Sequence, residues 1–376
     1  MKKREIFFLK NNFLSVKKFL SNFSFFDNFF LNILDHILFL KNYNFFFTLN
    51  NSFFFLNKEN CKFFILSFCN FNDIMKNKVK KFFFLKSNSN FFYYNFFNSQ
   101  KNDLSNYFFF NLVDNFFFNN RKNNIFILNK NTVLNLVEYY FFLFKNCEPE
   151  YRVFNKFILY EKSKINYLKY CNIPDKCSFL CINNVIQKKS SEFLNLNFIF
   201  NNYKYNDIFN FFINNSKTRS EVNNFFISFK NSITLNNFYY TSCFNQANIY
   251  NKSIGLCCNN SFFIFNSNVF LSIFSKNNFI KQVNNNLFFG NAVVSSTPKY
   301  SIKNSLNEVF HENTSNSFNS ELLFYLHSRG FDIISIYKFY LNSILISEFK
   351  IFINLNNFYF FNFLKEKINF FYDNEL

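Results

Sequence analysis

Residues 154–184 read FNKFILYEKSKINYLKYCNIPDKCSFLCINN, and this stretch decides the fold that the sequence predicts. It alternates short apolar runs with lysines. Between residues 151 and 189, eight Lys or Arg side chains stand against two carboxylates, a local net charge of about +6. Such a basic surface is typical of a protein that follows nucleic-acid phosphates, because each phosphate contact releases counterions.

The same stretch resembles the small RNA-binding motif of the small-subunit ribosomal protein four family. The resemblance implies a first helix whose buried face is 157–159 and a second helix over 165–173. It also implies a strand over 179–184 and a returning β ribbon over 185–200. In the family, this motif places one helix and a loop against RNA phosphates.

The C-terminal residues extend the resemblance. KIFIN at 350–354 and KINFFY at 367–372 are similar, in order, to the two closing segments of that family. Mitochondrial members can carry a long insertion between the motif and this tail. The resemblance therefore implies that residues 201–345 are such an insertion.

The predicted fold class is α+β. Residues 1–150 form a helical and β extension, 151–200 the small α/β RNA-binding module, 201–345 an Asn/Phe-rich irregular insertion, and 346–376 a tail that returns to the core. We find no fixed-period repeat in the sequence. Within the third segment, Ser320 is placed to cap a helix that ends with Gly330 in its C′ position.

The basic side chains are the predicted RNA contacts. The whole chain has a formal net charge of +18, which is more than solubility requires. The predicted contacts in the module are Arg152, Lys156, Lys162, Lys164, Lys169, Lys176, Lys188 and Lys189, and those in the extension are Lys76, Lys78, Lys80 and Lys81. The predicted partners are ribosomal RNA and neighbouring ribosomal proteins, with no small-molecule substrate.

The composition points to an A+T-rich organelle genome. The chain has 72 Phe but only 3 Gly and 3 Pro, and it resembles proteins encoded in ciliate mitochondria. Phosphate-binding loops need clustered glycines, so nucleotide-binding motifs are excluded. The predicted location is the mitochondrial matrix, on the ribosome.

The sequence favours no catalytic or metal site. His36, His311 and His327 lie far from any candidate nucleophile, and the carboxylates are scattered. Cys171, Cys177 and Cys181 have the spacing C-x5-C-x3-C, whereas zinc sites usually begin with C-x2–4-C pairs. Cysteine as a small buried hydrophobe is the favoured interpretation. We predict neither an enzyme nor a cofactor.

The predicted function is a structural constituent of the small subunit of the mitochondrial ribosome. The alternative is an organelle-encoded accessory subunit of a respiratory or ATP-synthase membrane complex. That alternative needs a membrane span, for which residues 253–275 are the best candidate, and their asparagines would be costly in lipid. A maturase-like RNA-processing factor would need an acidic site that the sequence lacks. We expect no membrane partner.

Overall fold

A computed structural model describes most of the chain between residues 104 and 333, together with short pieces on either side. The described residues are 44–49, 52–55, 104–113, 120–142, 150–173, 177–201, 203–229, 232–241, 246–258, 260–288, 291–304, 306–317, 320–333, 335, 336, 339 and 343. The tail at 346–376 and the predicted contacts Lys76, Lys78, Lys80, Lys81 and Lys176 lie outside them.

Strands dominate the described residues. They are β1 (Asn44–Leu49), β2 (Ser52–Phe55), β3 (Leu104–Val113), β4 (Asn120–Leu128), β5 (Val133–Phe142), β6 (Glu150–Leu159), β7 (Lys164–Ile173), β8 (Ser178–Gln187), β9 (Glu192–Asn201), β10 (Lys204–Ile213), β11 (Arg219–Phe229), β12 (Ser232–Thr241), β13 (Asn248–Cys258), β14 (Phe262–Leu271), β15 (Phe279–Phe288), β16 (Val293–Ile302) and β17 (Glu308–Ser317), with one helix, α1 (Ser320–Ser328).

The strands alternate between two sheets. From β3 onward, odd-numbered strands join a ten-stranded sheet in the order β17-β15-β13-β11-β9-β7-β5-β3-β1-β2, and even-numbered strands form a seven-stranded sheet from β16 to β4. Strands of successive turns pair in parallel, as for β11 with β13 and for β12 with β14, whereas β1 and β2 pair antiparallel. The result is a parallel β-solenoid of about 6 turns. It belongs to a compact unit over Asn44–Ser315, and α1 belongs to a second unit.

The predicted α+β class is therefore wrong. The two helices expected at 157–159 and 165–173 lie within strands β6 and β7, and the expected irregular insertion continues the solenoid. Burial shows the physical reason, because every second residue of β8 is buried. This period of two belongs to a strand with one face in a core. Because Phe is so frequent, Phe residues also fall at helical spacing, and this obscured the period of two in the sequence.

In six turns, a left-handed residue lies at the corner that leads from an even-numbered strand to the next odd-numbered strand. Positive φ occurs at Asn131, Lys162, Ser190, Lys217, Gln246 and Asn277, which lie 27 to 31 residues apart. At four of these corners a Ser or Thr hydroxyl donates to the carbonyl three residues earlier, as from Ser163 Oγ to the Tyr160 carbonyl at 2.7 Å. The structure thus repeats in turns of variable length, which a search for a fixed period in the sequence does not detect.

The apolar core lies near the two ends of the strands. One buried cluster includes Phe126, Phe157 and Phe211, and another includes Tyr151, Phe179 and Phe263. Rings at equivalent positions of successive turns stack, with centroids 4.9 Å apart for Phe126 and Phe157. Parallel strands about 4.8 Å apart bring identical side chains to stacking distance. The abundance of Phe therefore suits this architecture.

The residues that were the best candidate for a membrane span form strands. Residues 253–275 cover the second half of β13 and all of β14. Among the described residues, no helix is long and apolar enough to cross a membrane. The predicted helix after Ser320 is confirmed as α1, and Gly330 has φ of 87°. The Gly330 and Phe331 amides donate to the His327 and Leu326 carbonyls, which is a Schellman cap.

Lys217→Gly should stabilise the protein. Lys217 holds a left-handed conformation with φ of 57°, which costs an L-residue roughly 1–2 kcal/mol, and glycine loses part of this gain to entropy. We expect the free energy of unfolding in urea to rise by about 0.5–1 kcal/mol. The control Lys281→Gly, inside β15, should lower it. Equal decreases in the free energy of unfolding of the two variants would contradict backbone strain at Lys217.

Gly255→Ala should destabilise the protein for a packing reason. An added Cβ at Gly255 would lie 2.5 Å from ring atoms of Phe226, and that ring stacks on Phe263 with centroids 4.1 Å apart. Overpacking of this kind costs about 1–3 kcal/mol, measurable as a lower urea midpoint. Adding Phe226→Leu should recover part of the loss. A variant as stable as the parent would show that the ring is free to move.

Candidate functional site

A polar layer runs through the interior of the solenoid between the two apolar clusters. In the ten-stranded sheet, one inward position is polar in six successive strands. These residues are Glu138, Lys169, Asn197, Asn224, Ser253 and Asn284, and all six are buried. Buried polar groups are costly unless they are hydrogen-bonded. The polar layer is therefore the part of the core that we take as the candidate functional site.

Lys169 and Asp207 form the central ion pair of this layer. The Lys169 ammonium contacts the Asp207 carboxylate across the two sheets, and the side chains are 0% and 2% exposed. Asp207 also accepts hydrogen bonds from the Asn183 amide at 2.9 Å and the Tyr205 hydroxyl at 3.0 Å. Burial by itself lowers the pKa of Lys169, but the Asp207 carboxylate outweighs it and the pKa is raised. Lys169 is therefore a permanent buried cation.

Lys122 and Glu138 form a second, looser pair. Their charged atoms are 3.8 Å apart and both side chains are buried. The Lys122 ammonium donates to Asn111 Oδ1 at 2.6 Å, and Glu138 accepts from the Tyr167 hydroxyl at 2.6 Å. Burial lowers the pKa of Lys122, and the more distant Glu138 only partly offsets this. The two buried lysines thus differ because their carboxylates lie at different distances.

Asparagines join the two pairs into one network. The Asn155 amide donates to Asn183 Oδ1 at 2.9 Å and accepts from Asn124 at 2.7 Å. A further stretch follows toward the last turns, where Asn251 donates to Ser267 Oγ at 2.8 Å and accepts from Asn237 at 3.1 Å. These hydrogen-bonded amides extend the polar layer along the solenoid axis between the charged groups.

Two thiols adjoin the charged pairs. Cys181 Sγ lies 3.5 Å from Asn183 Oδ1, and the charge of Lys169 acts on both Cys171 and Cys181. Burial nevertheless raises the pKa of each thiol, with Lys169 opposing it only in part. Burial also raises the pKa of Cys177, Cys257 and Cys258 to about 12. These five thiols are protonated at neutral pH, whereas metal ligation and nucleophilic attack need the thiolate.

The described cysteines therefore do not form a ready metal centre. No group of three or more His, Cys, Asp or Glu side chains with metal-binding geometry occurs among the described residues. Cys171, Cys177 and Cys181 are buried and free of disulfides. Cys61, Cys69, Cys147 and Cys243 lie outside the described residues.

Comparison with known families identifies this solenoid. A family model described as the SUF system FeS cluster assembly, SufBD core domain, matches residues 117–334. The chain belongs to the SufBD family. The match runs from just before β4 to just beyond α1, so the SufBD core includes the whole buried polar layer from Lys122 to Asn284. No curated protein shows a significant match to the chain.

Family membership corrects the functional prediction. The SufBD core overturns the assignment to the ribosomal protein four family, and with it ribosomal RNA and ribosomal proteins as partners. The alternative of a respiratory or ATP-synthase subunit is likewise not supported. The stretch 154–184 that carried the resemblance forms parts of three solenoid strands, β6, β7 and β8.

The predicted RNA contacts occupy three different environments in the SufBD core. Lys156 and Lys169 are buried in strands. Arg152 and Lys164 are half-buried and pair with Glu150 and with Glu192. Lys162, Lys188 and Lys189 lie at corners between even-numbered and odd-numbered strands. The structure thus does not bring the set together on one surface.

Sequence reasoning missed the polar layer, although a signal was present. The corner segments 129–132, 160–163, 188–191 and 215–218 read NKNT, YEKS, KKSS and NSKT, each ending in a buried Ser or Thr. The spacing of these segments gives the length of one turn. When the strands are aligned by that length, the polar residues near the middle of each strand fall at equivalent positions. Lys169 had been given a solvent-facing role, whereas it lies in the core.

Lys169→Met should strongly destabilise the protein, because Asp207 would keep a buried charge without its partner. We expect the free energy of unfolding to fall by about 3–5 kcal/mol, measured by urea denaturation. The double variant Lys169→Met, Asp207→Leu should recover most of the loss. Lys130→Met, in the exposed pair with Glu161, is the matched control and should change little. A double variant no better than the single one would contradict the pairing.

Proposed function

We propose that this chain is a scaffold component of a SUF-type machinery that assembles iron–sulfur clusters, with other SUF proteins as its partners. The observation that carries the proposal is the SufBD core match over residues 117–334, which includes fourteen solenoid strands, β4 to β17. Three structural features agree with a scaffold. They are a hydrogen-bonded solenoid, buried and protonated thiols, and a polar interior whose charged side chains form ion pairs. We propose no catalytic turnover for the chain itself.

The cluster is cargo in this proposal and not a resident cofactor. Because burial raises the pKa of the described thiols, those thiols are poor ligands in the conformation that the structure shows. Ligands for a nascent cluster then come from partner proteins or from rearranged or other residues of this chain. The polar layer contributes by fixing the register of the turns, since Lys169 in β7 joins one sheet to Asp207 in β10 of the other.

Location in the mitochondrial matrix stays a prediction from composition, and we retain it as a proposal. Its basis is the A+T-rich residue usage, with 72 Phe and 3 Gly. Fractionation of the source cell with antibodies to the chain would test it.

The test of the function is co-expression of the full chain with the other SUF proteins of one system under anaerobic conditions. We expect the chain to co-purify with them and the complex to contain iron and acid-labile sulfide. The chain expressed alone is the control and should contain much less of both. A chain that purifies without SUF partners, or that sediments with ribosomes until ribonuclease is added, would contradict the proposal.

A further inference from the structure

The corners that lead from even-numbered to odd-numbered strands form a surface that the scaffold role does not use. We name it the basic ridge, defined by the corner segments 129–132, 160–163, 188–191, 214–218, 272–278, 303–304 and 306–307. Its lysines are Lys130, Lys162, Lys188, Lys189, Lys217, Lys276 and Lys303, and its single carboxylate among the described residues is Glu161. Adjacent turns are about 4.8 Å apart, so the lysines of the four corners from 129 to 218 follow one another closely. Lys276 and Lys303 lie beyond the corner at Gln246, whose described residues carry no charge.

The basic ridge is held by backbone hydrogen bonds from turn to turn. The left-handed residue of one corner donates its amide to the next corner, from Lys162 to the Lys189 carbonyl at 3.0 Å and from Ser190 to the Ser216 carbonyl at 3.0 Å. The bond from Asn277 to the Leu306 carbonyl is 2.7 Å. The lysines therefore project from a fixed edge, which lowers the entropic cost of binding a partner along it.

Most of the charge on the basic ridge is not neutralised within the described part of the chain. Lys130 pairs with Glu161 at 2.8 Å, whereas Lys162, Lys189 and Lys217 form no ion pair there. The hydrogen bond from Lys130 lowers the pKa of Glu161, and the charges of Lys189 and Lys162 add to the effect. The single acid is thus outweighed by the cations around it.

Large apolar side chains protrude from the same corners. Phe274 is 71% exposed, Ile273 is 60% exposed and Leu306 is 56% exposed. Phe274 and Ile273 precede Lys276 in one corner segment, and Leu306 follows Lys303 in the next. Exposed phenylalanine at a turn tip contributes nothing to the core, and beside lysines it has the combination that interfacial membrane-binding segments use.

We propose that the basic ridge binds the surface of an anionic lipid membrane. The lysines contact the lipid headgroups, and Phe274, Ile273 and Leu306 enter the boundary between headgroups and acyl chains. A membrane fits better than an acidic protein, because the apolar side chains stand on the tips of turns and the charges lie in a row along one edge. This inference is independent of the Fe–S assembly role, and it departs from the sequence-based expectation that the chain has no membrane partner.

The test uses the full chain and sedimentation with vesicles of phosphatidylcholine mixed with phosphatidylserine. We expect binding that weakens at high salt and is lost on vesicles of phosphatidylcholine alone. The variant Lys162→Asn, Lys189→Gln, Lys217→Asn keeps residues that tolerate the corners and should bind at least tenfold more weakly, since each lysine near an anionic surface is worth about fivefold. Phe274→Ser with Ile273→Ser should weaken binding at both low and high salt.

The matched control is Lys204→Gln, Lys281→Gln, Lys299→Gln, which removes the same charge from strands β10, β15 and β16, outside the corner segments that define the basic ridge. It should bind within about threefold of the parent, because the long-range field is screened. Equal losses in the two triple variants would overturn the assignment to the basic ridge. Retention on immobilised polyglutamate without vesicle binding would instead assign it to an acidic protein. All variants are compared at equal helicity and strand content by circular dichroism.

Discussion

Successive turns of the solenoid pair in parallel and in register, so every inward side chain lies close to its equivalents in the turns before and after. This pairing couples residues about 29 positions apart, as in Arg219 with Asn248. Apolar equivalents stack into ladders, as Phe211 does on Tyr239 with centroids 4.7 Å apart. Polar equivalents form amide ladders. A shift of one residue would turn each inward side chain outward, so both ladders depend on the same register.

The buried ion pairs disfavour any other register of the turns. A buried ion pair is often no more stabilising than apolar residues of similar volume, but removing one partner is costly. Lys169 must meet Asp207, and Lys122 must meet Glu138, although the members of each pair belong to different sheets. We interpret the pairs as selecting one arrangement of turns among several that the Phe-rich strands would pack almost equally well. A scaffold in an assembly machinery benefits from a single, rigid arrangement.

The two lysine populations show why a charge count is a poor guide to partners. Lys169 and Lys162 are seven residues apart, yet one is fully buried and the other stands at an exposed corner. The net charge of +18 includes both kinds. Lysines at the corners and on the outer faces of strands contribute to the field that an approaching partner meets, whereas the buried Lys169 and Lys122 pair with carboxylates of the core.

Composition and local pattern by themselves determined several properties of this protein. They excluded glycine-rich phosphate loops, predicted the helix that begins at Ser320 and its cap at Gly330, and gave the strongly basic charge. The fold was decided only by tertiary structure. A local stretch such as 154–173 shows alternating Phe, Lys and Asn, and this pattern leaves open which face is buried. The answer depends on partners 26 to 38 residues away: Asp207 for Lys169, Asn183 for Asn155, and Ser216 for Ser190. Contacts at that distance along the chain become visible only when the turns are stacked.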